Sequence, residues 1–197
     1  MTTAEITIAA GQSNRSAVKY HFGDKDGLIR AVLEQYQSRI EARRRELIAG
    51  LEAKARPTLR DWVWALITPL GELLDDRDGE DYLSITAQLL SNPRLRILDD
   101  HRASLAVGGD HFLDVLDRTS KRSQALWLSR YILVTGAIFH GLADYSRVRR
   151  KEDGAASPAE FIEELINAVA ALIERPASST KKAGGRAKYS GGKTRRN

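Results

Sequence analysis

The chain has 197 residues, enough for one large domain or for a small domain joined to a larger one, and its 42% hydrophobic and 29% charged content is that of an ordinary globular protein. It holds no cysteine, which excludes disulfides and thiolate metal sites and fits a reducing compartment. The net charge of +5 belongs to residues 177–197, which carry seven basic side chains and no acid; the rest of the chain has 24 basic and 26 acidic side chains, so a globally basic nucleic-acid binder is excluded.

The first ten residues, MTTAEITIAA, lack a basic leader and a long apolar core, so a cytoplasmic protein without a secretory signal is expected. Thr2 or Thr3 caps a first helix running to Ala10, with Ile6 and Ala9 inward and Gly11 closing it. Ser13 or Asn14 then caps a second short helix through Tyr20. Two short helices joined by a glycine-containing turn make a helix-turn-helix, whose second helix presents its first side chains to the major groove. Asn14 and Arg15 suit base edges, and Ser16 and Lys19 suit phosphates. The same polar run also suits a surface turn of any helical protein.

A long helix follows, with Ile29, Val32, Leu33, Tyr36, Ile40, Leu47, Ile48 and Leu51 recurring at three and four residues. Pro57 ends it, and Thr58 caps a helix carrying Leu59, Trp62, Val63, Leu66, Ile67 and Leu70, which Pro69 kinks or shortens. An acidic loop is expected over 75–81, a short helix over 82–90, a stop at Asn92-Pro93, and a helix over 94–117 bent at Gly108-Gly109. Residues 126–148 are apolar on nearly all sides, as in a helix buried between neighbours; Arg130 and His140 interrupt the run, so it is not a membrane span. Ser157-Pro158-Ala159-Glu160 is a capping box that opens a helix with Phe161, Leu165, Ile166, Val169, Leu172 and Ile173 on one face, closed by Pro176. Period-two alternation is scarce, and the fold class expected is all-α. The tail over 177–197 is rich in Gly, Ser, Lys and Arg and is expected to be disordered, either as a solvated extension or as a mobile arm attracted to phosphates.

Ile8-Ala9-Ala10-Gly11, Ser16-Ala17-Val18 and Tyr20-His21-Phe22-Gly23-Asp24-Lys25-Asp26-Gly27-Leu28-Ile29 together resemble the DNA-binding signature of TetR-family transcriptional regulators, over about residues 3 to 33. The resemblance implies a helix-turn-helix segment and connecting helix over 1–45, then a helical effector-binding and dimerisation domain over 46–176. It implies that double-stranded DNA meets Thr3, Ser13, Asn14, Arg15, Ser16, Lys19, Tyr20, His21 and Lys25, with Phe22 in the small core of the head. It also implies a homodimer through the last two helices, to which Tyr131, Val134, Ile138, Leu142, Phe161, Leu165, Val169 and Leu172 would contribute unless they form only the core of one chain. An unidentified small-molecule effector would sit among the middle helices; Trp62, Leu66, Tyr82, Gln88, His111, Trp127 and His140 are candidate lining residues, each equally suited to plain core. No cofactor and no metal are expected.

The chain departs from the family pattern in two ways. There is one more residue between Gly11 and Val18, and Lys19 stands where the tyrosine usually falls, so a longer turn is expected. The family also places an amphipathic helix before the one starting at Thr3. Without it Ile6, Ile8, Val18 and Phe22 would be uncovered, at about 1.5–3 kcal/mol for each side chain fully affected. The expectation is a natural start upstream of Met1, or weak DNA binding as written.

An enzyme is not expected, since HExxH, GxSxG and GxGxxG are all absent. Gly192-Lys193-Thr194 lacks the earlier glycine of a phosphate loop, and Asp76-Arg77-Asp78-Gly79 lacks the later acid of a calcium loop. The competing expectation is a helical ligand-binding or dimerising module without specific DNA recognition.

Overall fold

The computed structural model describes residues 17–54, 56–91, 124–152 and 154–174. Among them are six α-helices and one 3-10 turn, and no strand: α1 (Ala17–Phe22), α2 (Lys25–Glu52), α3 (Leu59–Gly71), the 3-10 turn Glu72–Asp75, α4 (Arg77–Ser91), α5 (Gln124–Arg149) and α6 (Pro158–Glu174). The all-α expectation agrees with this. No helix among the described residues is long and apolar enough to cross a membrane. The expected helix over 94–117, its flanking stop and bend, Pro176 and the basic tail lie outside the described residues.

Local chemistry sets most of the helix ends. Thr58 accepts the Asp61 N–H at 3.2 Å, and the Asp61 carboxylate accepts the Thr58 N–H at 2.8 Å, a reciprocal capping box that opens α3. These bonds from Thr58, with Lys54 adding its own, hold the Asp61 carboxyl at about 2. Ser157 and Glu160 repeat the arrangement at α6, with the Glu160 carboxylate 2.8 Å from the Ser157 N–H. Thr58→Ala should cost about 1 kcal/mol, read by urea melts. Because the folded Asp61 pKa lies below its unfolded value of 3.8, this stabilisation is complete above that pH and fades as pH falls toward about 2.

Pro69 does not end α3. It lies two residues from the C-terminus, where its missing N–H costs one bond, and the chain then tightens into the 3-10 turn. The acidic loop expected over 75–81 does not exist as such. Asp75 closes the 3-10 turn, Asp76 alone is extended, and α4 starts at Arg77, five residues before the expected position. The cause is a repeated device. Asp24-Lys25-Asp26-Gly27 and Asp76-Arg77-Asp78-Gly79 each begin a helix, the first Asp accepting the Gly N–H at 2.8 Å in one and 2.6 Å in the other. In both, a glycine is required because a Cβ would strike the carbonyl of the preceding turn, Phe22 in one case and Leu73 in the other.

Leu33 and Ile40 of α2, Val63, Leu66, Ile67 and Leu70 of α3, Leu83 of α4, Ile138 and Leu142 of α5, and Ile166 and Val169 of α6 share one core. The boundary expected at 45/46 falls inside continuous α2, whose Leu33 and Ile40 join this core. Truncating Ile138 to Ala should cost about 2–5 kcal/mol. α5 is not buried on all sides: among the described residues it packs on α4 and α6, while Ile132 and Leu133 stay 60% and 57% exposed.

Two buried charges stand in this body. Glu80 at the start of α4 takes Arg149 at 2.6 Å and Arg150 at 2.6 Å, and Arg149 also donates to the Leu74 carbonyl at 2.8 Å. This ties the end of α5 to the α3–α4 turn. Arg44 of α2 is 4% exposed, pairs with Glu41, and has no partner for its Nε. Burial pushes its pKa below the usual arginine range, and Glu41 opposes that. Burying this guanidinium costs more solvation than its single partner returns, and Glu41, whose side chain is 34% exposed, can turn to water once the arginine is gone. Arg44→Met should therefore leave stability unchanged or raise it by about 1–2 kcal/mol in urea melts.

Candidate functional site

The first part of the site is α1 and its turn. Helix α1 runs two residues past the expected end at Tyr20, because Gly23 is the first position free to take the left-handed conformation that ends it, at φ 76°. The Gly23 N–H bonds the Lys19 carbonyl at 3.1 Å, and the Asp24 N–H bonds the Phe22 carbonyl at 2.9 Å. Asp24 then caps α2, so the two helices are joined by two residues with little backbone freedom.

On α1, Lys19, Tyr20 and His21 all face solvent, Tyr20 at 84% exposure with its ring edge-on to His21. Lys25 is exposed one turn away. Thr3, Ser13, Asn14, Arg15 and Ser16 lie outside the described residues. Phe22 is not enclosed in a small core as expected. It is 39% exposed, since among the described residues α1 packs mainly on the start of α2.

Beside this turn lies an open groove of about 1140 Å³, floored by Leu28, Ile29 and Val32 of α2, Ile85 and Leu89 of α4, and Ala143 of α5. Lys25 and Asp26 stand in its lining with Ser84, Gln88, Ser91, His140 and Arg147. Of the expected ligand residues, Gln88 and His140 meet here. Leu66 and Tyr82 are buried in the core instead, Tyr82 stacked on Tyr36 at 4.6 Å between ring centres. Trp62 is half-buried on α3, away from the groove lining. His111 and the side chain of Trp127 lie outside the described residues.

The α2 and Ile85 contributions were missed by sequence reading. The signal was present: Leu28, Ile29 and Val32 share a helix face just before the buried Leu33, and Ile85 breaks the polar side of α4. Inside the groove, the Ser91 hydroxyl lies 3.1 Å from the Ala87 carbonyl and 3.1 Å from His140 Nε2. Arg147 is paired with Asp144.

Of the expected dimer residues, Val134, Ile138, Leu142, Leu165 and Val169 are buried within the single chain. Tyr131, Phe161 and Leu172 are half-buried, Phe161 stacking on Tyr145 at 4.2 Å. Among the described side chains of α5, the large apolar ones left outward are Ile132, Leu133 and Val148.

No family model matches the chain. No curated protein and no solved structure matches it either.

Proposed function

We propose that the chain is a TetR-like, ligand-responsive DNA-binding transcriptional regulator that acts as a homodimer. The observation that carries this reading is one short turn serving two surfaces. Gly23 and Asp24 anchor the solvent-facing helix with Lys19, Tyr20 and His21, and Lys25, Asp26, Leu28 and Ile29 just after them line the groove. A molecule in the groove therefore touches the segment that aims α1. In this reading Lys19 and Lys25 hold phosphates, and the residues just before α1 reach base edges. Two copies are required to read half-sites one helical turn apart, and Ile132 and Leu133, with Tyr131 and Leu172, offer apolar surface for the pairing. A ligand favouring one spacing of the two heads shifts the population away from the DNA-competent form; repression follows if the free form is the one that binds.

The test is fluorescence anisotropy with duplex from upstream of the chain's own coding region. Binding should weaken steeply with salt, with a preference of at least about 10³ over random duplex. Lys19→Ala and Lys25→Ala should each reduce the salt slope by about 1. Equal weak binding to every duplex would instead make the chain a helical ligand-binding or dimerising module.

A further inference from the structure

Resting on that ligand-responsive reading, we infer that the groove takes an uncharged, largely apolar molecule carrying one hydrogen-bond donor, of the alkylphenol kind. The charges of the lining argue for neutrality. Lys25 and Asp26 carry opposite charges in the lining, and Arg147 is paired with Asp144, so the described charges around the groove balance and leave none in excess to repay the desolvation of a charged ligand. The apolar body follows from Leu28, Ile29, Val32 and Ile85 of the floor; Ile85 is 38% exposed, left uncovered by the side chains of the described residues.

The donor follows from the Ser91–His140 pair. A serine hydroxyl has one hydrogen, and two acceptors lie within reach, the Ala87 carbonyl and His140 Nε2. Both contacts are hydrogen bonds only if Ser91 donates to Ala87 and Nε2–H donates to Ser91. With Nε2 donating to Ser91, Nδ1 is left as the ring's acceptor, and we assign it to the ligand's donor because His140 lines the groove. Gln88, exposed one turn before Ser91, accepts or donates beside it.

The experiment uses the full chain and no DNA. N-phenyl-1-naphthylamine, a neutral fluorophore with one N–H, should bind saturably with rising fluorescence. 4-Hexylphenol should displace it about tenfold better than 4-hexylanisole, which has the same body without the donor, and better than 4-hexylbenzoate. His140→Leu should abolish the preference for the phenol over the anisole, and Ile85→Asp should abolish saturable binding. Ile85 is partly exposed, and an unchanged circular-dichroism melt confirms that the variant is folded. Equal displacement by phenol and anisole, tighter displacement by benzoate, a phenol preference that survives His140→Leu, or binding unaffected by Ile85→Asp would each overturn the inference. A protein that keeps the phenol preference while binding every duplex equally supports the groove chemistry and overturns the regulator reading. One that prefers its own upstream duplex without the phenol preference does the reverse.

Discussion

Gly27→Ala should, if the chain reads DNA as proposed, lower affinity for its preferred duplex by roughly 100-fold or more while leaving the melt of the helical body nearly unchanged, the loss being that of one or two base contacts at about 1–3 kcal/mol each. On helix propensity alone the substitution would stabilise α2, alanine being better than glycine by about 1 kcal/mol. Sterics decide against that gain here. The added Cβ would lie far inside contact with the Phe22 carbonyl oxygen and 3.1 Å from its carbon, and both are backbone atoms that cannot swing aside. To make room α1 must lift away from α2, and on the proposed reading a shift of about an ångström takes the residues it carries off the base edges. Gly50, further along the same helix, has nothing within 4 Å of a built Cβ. Gly50→Ala is therefore the control, expected to raise stability by up to about 1 kcal/mol and leave DNA binding unaltered. Binding by Gly27→Ala at the level of the unaltered chain would show that α1 is not what meets the duplex.

Glu80→Ala is expected to destabilise the body by about 2–3 kcal/mol, lowering its melting temperature by roughly 5–10 °C. Removing this one carboxylate breaks both arginine contacts at once and frees the end of α5 from the α3–α4 turn. The Arg149 and Arg150 side chains, 32% and 37% exposed, can turn to water, which keeps the loss below that of a fully enclosed pair. Burial pushes the Glu80 carboxyl up, but the hydrogen bonds and charge of Arg150 and Arg149 outweigh it and leave the pKa below the ordinary range. The stabilisation is thus complete above the unfolded pKa and lost as pH falls through the lower folded value. Chemical denaturation across acidic pH should give a flatter acid limb for Glu80→Gln than for the unaltered chain. Parallel curves would assign the acid sensitivity to other carboxylates.

The two aspartate-led tetrapeptides show how far local reading reaches. Asp24-Lys25-Asp26-Gly27 lies inside the quoted signature, just before the apolar stripe that begins at Ile29, whereas Asp76-Arg77-Asp78-Gly79 falls in the acidic loop expected over 75–81. Both use the same Asp-to-Gly hydrogen bond, and comparing them would have moved the start of α4 to Arg77. Caps were legible for the same reason. Thr58 with Asp61 and Ser157 with Glu160 bond within four residues, so their chemistry is complete before any tertiary contact forms.

The all-helical class, the caps and the inward stripe of α6 were therefore set by amino-acid order alone, since each depends on spacings of three or four residues. Which side of α5 turns inward was not, because that helix is apolar around most of its circumference, and among the described residues it is packing on α4 and α6 that selects Val134, Ile138 and Leu142 over Ile132 and Leu133. The groove was equally beyond local reading. Ile29, Gln88 and His140 are far apart along the chain, and only the packing of three helices brings one face of each to the same space.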